Sequence, residues 1–203
     1  MFITRTRSIL VLAAAAALSL AGCGDSDTGH TAEHGTSTTT SAGPSATARA
    51  EFDDADVTFL QMMYPHHAQA VEMARLVPSH TDNAQLRALA TQVEQAQAPE
   101  MQQITALLQS FGKPAPTTSE GHGGHGMPGM MSAEQMAALR AASGPDFDRQ
   151  WLTMMIEHHQ GAIDMSETEL SNGRNADAKA LAEAIIAAQR AEIEQMRTML
   201  GQS

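Results

Sequence analysis

Along residues 52–112 and 145–202, apolar side chains return every three or four positions, the spacing of one face of an α-helix. Leu86, Leu89, Val93, Met101, Ile104, Leu107 and Leu108 form one such series. Leu181, Ile185, Ile186, Ile193, Met196, Met199 and Leu200 form another. Polar residues fill the positions between them, so each segment predicts an amphipathic helix with a solvated outer face. No run with a period of two marks a strand. Pro78 through Asn83 and Asn172-Gly173 interrupt the pattern at corresponding places, Gly112-Lys113-Pro114 closes the first half, and Gly144-Pro145 opens the second. Two hairpins of long helices with short loops predict an all-α, antiparallel four-helix bundle, with residues 113–144 as the linker. Pro65 falls inside the first helix by pattern, where it removes a backbone hydrogen bond and is expected to kink the chain.

The two halves are copies. Sliding the chain so that Met62 lies on Met154 aligns FLQMMYPHHAQAVEM (59–73) with WLTMMIEHHQGAIDM (151–165), and the match continues without a gap. Roughly eighteen of about fifty aligned positions are identical, the mark of an internal repeat. The identities include Asn83 with Asn175, Gln97 with Gln189 and Glu100 with Glu192.

The repeat carries the candidate chemistry. At about 100° per residue, Met62, His66, Ala70 and Met73 share one helical stripe, with Met63 and His67 beside it. The second unit repeats this with Met154, His158, Ala162 and Met165, beside Met155 and His159. Methionine spaced this way ordinarily packs a core. Against packing alone stand the 14 methionines, the 3% of aromatic residues, and a polar imidazole pair placed twice on a face that must be buried. Thioether sulfur is a soft ligand that favours Cu(I), and imidazole accepts Cu(I), Cu(II) and other ions; Ag(I) shares the preference for sulfur. This set therefore points to copper, Cu(I) foremost. A further cluster, EGHGGHGMPGMM, lies between the halves. His122, His125, Met127, Met130 and Met131 are either additional ligands on a glycine-rich backbone or part of a plain loop. Gln97, Glu100, Gln189 and Glu192 stand at equivalent places, as partners that orient the histidines or as solvated or interhelical polar pairs.

The N-terminus bounds where this chemistry takes place. Arg5 and Arg7, an apolar run from Ile9 to Leu20, and Leu20-Ala21-Gly22-Cys23 have the parts of a lipoprotein signal, with 1–22 removed and Cys23 acylated. The run of about 12 residues is short of the roughly 20 that span a bilayer. Cys23 is the sole cysteine, so the mature chain has no disulfide, thiolate nucleophile or cysteine-based metal site. Residues 23–50, rich in Gly, Ser, Thr and Ala, read as a tether from the membrane to a domain over 51–203. A lipid anchor on the extracytoplasmic face of the membrane is the expected location. The net charge of -11 argues against a nucleic-acid surface.

Both halves resemble the motif M-x-x-x-H-H-x-x-A-x-x-M of the family catalogued as domain of unknown function 305, which includes copper-binding proteins. The resemblance covers about residues 52–200. It implies a ferritin-like helical bundle outside the cytoplasm, with copper held by Met62, Met63, His66, His67 and Met73 and by Met154, Met155, His158, His159 and Met165.

Three functions follow as expectations. The first is a lipoprotein that sequesters copper or passes it to a trafficking partner, without turnover. The second is a structural or interaction module in which the histidines pair with Glu or Gln and the methionines only pack. The third, a ferritin-like metalloenzyme, lacks the Glu-x-x-His motifs of di-iron carboxylate sites. The chain also has neither the HExxH zinc motif nor a Gly-x-Ser-x-Gly elbow, so no catalytic residue is assigned.

Overall fold

Three of the four long helices begin where a short polar side chain takes up free amides of the first turn. In the computed structural model, which describes residues 51–116 and 127–201, Asp53 caps α1 (Asp54–His80), and Asp56 bonds back to it in a capping box. Asn83 caps α2 (Ala84–Ser110) and its repeat counterpart Asn175 caps α5 (Ala176–Met199). Between the hairpins lies α3 (Ala133–Ala141), capped by Ser132, and the second hairpin opens with α4 (Gly144–Asn172), which starts on Pro145 without a side-chain cap. The signal segment 1–22, Cys23 and the tether 23–50 lie outside the described residues.

The helix boundaries follow the repeat closely. α1 runs through both Pro65 and Pro78 to His80, so the first break is confined to Thr81–Asn83. α2 ends as a Schellman turn should, with Gly112 at φ 70° and the Lys113 amide donating to the Leu108 carbonyl. Within the expected linker 113–144, nine residues form α3. Met136 and Leu139 are apolar positions three apart, enough to seat one short helix on the core.

All described secondary structure is helical. α1 packs on α2 and α4, and α5 packs on α4 and α2; the short α3 packs on α4. Two apolar cores result. One gathers Met73, Val77, Leu86, Phe147, Trp151, Met154 and Met155 with Met131, Met136 and Leu139 from the inter-repeat segment. The other gathers Phe59, Leu60, Met63, Ile104, Leu108, Ala162, Met165 and Ile185. No described helix is long and apolar enough to cross a membrane.

Candidate metal centre

His66 and His158 are equivalent positions of the two repeat units, and α1 and α4 bring them together. Their rings lie 3.8 Å apart between centroids, tilted by 40°. His66, His67, His158 and His159 are all fully buried. Burial, with a smaller contribution from His67, holds His66 down to about 3. Burial, then His66, His159 and His67, holds His158 well below the usual histidine range. Both rings are therefore neutral at neutral pH, each with a nitrogen lone pair.

The neighbours show where those lone pairs lie. The Pro128 carbonyl can only accept, so His66 donates to it from Nε2 at 3.0 Å and keeps its lone pair on Nδ1. His67 Nε2 meets Glu100 Oε2 at 2.7 Å, and in the second repeat His159 Nε2 meets Glu192 Oε2 at 2.6 Å. The other nitrogen of both rings, Nδ1, is buried. The three Nδ1 atoms have no hydrogen-bond partner, and neither nitrogen of His158 has one. Buried polar atoms without partners are rare in native proteins, and here each of four buried imidazoles has at least one.

The methionines divide by space rather than by sequence. Met73 of the first unit packs in the core that holds Met154 and Met155 of the second. Met165 of the second packs with Met63 of the first, and Met62 lies against that core. Each repeat carries one set in sequence, and the structure packs methionines of α1 and α4 together in both cores. Glu100 and Glu192 reach histidines, whereas Gln97 and Gln189 are buried with amide atoms unpaired. Among the described residues no three His, Cys, Asp or Glu side chains gather to hold an ion. A soft ion here would therefore have to draw on thioether sulfur as well as imidazole.

The segment between the halves contributes a strap. His122 and His125 lie outside the described residues. Met127 and Met130 are half-buried and Met131 is buried in the core, so Met131 packs where an added ligand was an open reading. Gln69 grips the Met131 backbone twice, donating to its carbonyl at 2.9 Å and accepting from its amide at 2.7 Å. At the position equivalent to Gln69, α4 has Gly161, and there the strap crosses. A Cβ on Gly161 would come within 2.1 Å of the Pro128 carbonyl oxygen. Gly161→Ala should lower the melting temperature, since the strap backbone has to move and alanine's helix preference of about 1 kcal/mol offsets only part of the lost Met131 burial and Gln69 bonds. It should also expel the strap and speed amide exchange at Met130 and Met131 by about tenfold, the scale of one lost hydrogen bond. Unchanged exchange at those amides would show that the crossing tolerates the methyl group.

Fold and site together define an all-helical protein of two repeated units, with a buried histidine pair at their junction and methionines on both sides. The chain belongs to the DUF305 family, whose model, domain of unknown function (DUF305), matches residues 56–200. It is similar to the crystal structure of a DUF305 protein of Streptomyces coelicolor described as secreted: 31% identity, TM-score 0.66, 73% of this chain and 93% of that one. A DUF305 fragment from Deinococcus radiodurans matches at 33% identity and TM-score 0.66, over 74% of this chain and 98% of that one. CopM in its Cu(II)-bound form matches at 34% identity and TM-score 0.63, over 71% of this chain and 94% of that one. CopM has also been solved in Cu(I)-bound and Ag-bound forms. No curated protein matches.

Proposed function

We propose that this protein binds copper, chiefly Cu(I), between its two repeat units and sequesters it or hands it on outside the cytoplasm, without turnover. The observation that carries this reading is the set of four buried imidazoles, neutral at the central pair, with unpartnered nitrogens and thioethers packed on both sides. Met62, Met63, His66, His67, Met73, Met154, Met155, His158, His159 and Met165 would supply the ligands. Glu100 and Glu192 would orient His67 and His159. The likeness to CopM in its Cu(I), Cu(II) and Ag-bound forms supports copper with silver as a competitor. The secreted relative and the lipoprotein-like N-terminus support an extracytoplasmic, lipid-anchored location. Within the same proposal, the four long helices form an antiparallel, ferritin-like four-helix bundle.

The rival reading, a helical interaction module, draws on the His67–Glu100 and His159–Glu192 bonds, which would satisfy polar groups in any core. Anaerobic competition between the full-length chain and a colorimetric Cu(I) chelator separates the two. Alanine at Met62, His66, Met154 and His158 together should weaken binding by at least about 10–100-fold, the scale of disturbing a metal's immediate surroundings. Circular dichroism of the variant should still report helix. Undiminished binding would move the site to the His122–Met131 segment and remove copper from the bundle.

A further inference from the structure

Repeat symmetry relates the two methionine sets, yet their surroundings differ. On one side α1 and α4 leave a groove of about 480 Å³ lined by Met62, Met165, Pro128, Asp54, Asp164 and Glu169. Position by position, the counterpart is filled. Ala55 becomes Phe147 and Phe59 becomes Trp151, while Thr168 and Glu169 answer to Leu76 and Val77. Phe147, Trp151, Met73 and Val77 are fully buried there, and Met131, Met136 and Leu139 join the same core. The Trp151 indole N–H donates to the Met73 carbonyl at 2.9 Å and fixes the plug.

The open side has features of a site. Met62 is half-buried, and Asp54 and Asp164 are exposed at the mouth. Glu169 is 1% exposed and lines the groove. Pro128 lines it too, and its carbonyl holds His66 from the other end. Met62 lies one helical turn from His66 on the same face of α1.

We infer that the protein loads soft monovalent cations from one side only, through the Met62–Met165 groove, and that the Met73–Met154 side is a closed core. This rests on the copper reading above. Acidic residues at the mouth raise the local concentration of cations, and the two thioethers offer the first soft ligands on the way to the histidine pair.

Stopped-flow transfer of Cu(I) from a colorimetric chelator to the full-length chain tests this, with leucine replacing methionine to keep volume. Met62→Leu with Met165→Leu should slow loading by about tenfold or more, and Met136→Leu with Met196→Leu, two buried methionines of the closed core that are not among the ligands, by less than about twofold. In methyl NMR of methionine during Ag(I) titration, the Met62 and Met165 resonances should move first. Equal slowing by both pairs, or none by either, overturns one-sided entry while leaving copper binding intact. A wild-type chain that takes up no Cu(I) removes both readings.

Discussion

Replacing Trp151 with alanine is expected to destabilise the protein by about 3–5 kcal/mol, the range for emptying a fully buried large aromatic site. Trp151 is wholly buried among α1, α4 and the inter-repeat residues, and its indole N–H satisfies a carbonyl of α1. The substitution removes both the filling and a donor that joins two helices. For a domain of this length the melting temperature should fall on the order of 10 °C. Phe59, its repeat counterpart, lines the open groove, so Phe59→Ala leaves less of a sealed void and should cost clearly less. Calorimetry of the two variants is decisive: equal losses would mean that the two sides of the histidine pair are packed alike. A drop confined to Trp151→Ala would show that the plug is structural.

That asymmetry also marks what could be read from the chain and what could not. Helical periodicity and the caps at Asn83 and Asn175 are local signals, so four long helices and their register were legible. The internal repeat placed His66 opposite His158 in kind, but not in contact. The 3.8 Å meeting of their rings depends on how α1 and α4 cross, which no local pattern specifies. The mixing of methionines between units has the same origin. Glu100 and Glu192 were legible as a repeated pair, but that they bond histidines rather than water or each other depends on how the helices of each hairpin pack. Gln69 and Gly161 were not, because there the repeats differ: one unit grips the strap and the other makes room for it. The short helix α3 was missed because two apolar positions in nine residues give little periodic signal.

Glu169 is the other residue that the pattern hides, standing where the first repeat has Val77. Its carboxyl is buried against Asp56, and burial, then the hydrogen bond and charge of Asp56 and the charge of Asp53, push it up to about 8; Lys179 opposes weakly. Burial alone would raise Asp56 as well. The amides of Asp53 and Asn175, the Glu169 carboxyl and the Arg174 amide outweigh that and leave it lowered. Glu169 is thus the protonated donor of the pair and Asp56 the ionised acceptor. The folded value of Glu169 lies above its ordinary 4.5, so its contribution to stability is complete below that value. It declines as pH rises, because the unfolded chain releases the proton first, and is gone above about 8. Asp56 acts in the opposite sense, with stability lost as pH falls into the acid range. Chemical denaturation at pH 5 and pH 8 should therefore show a fall on the order of a few kcal/mol in the wild-type chain. Glu169→Gln keeps a neutral donor toward Asp56 and removes the titration, so its stability should change far less across that interval. An equally steep decline in the variant would place the responsible group elsewhere, whereas a flat profile would show that one buried proton joins the start of α1 to the end of α4.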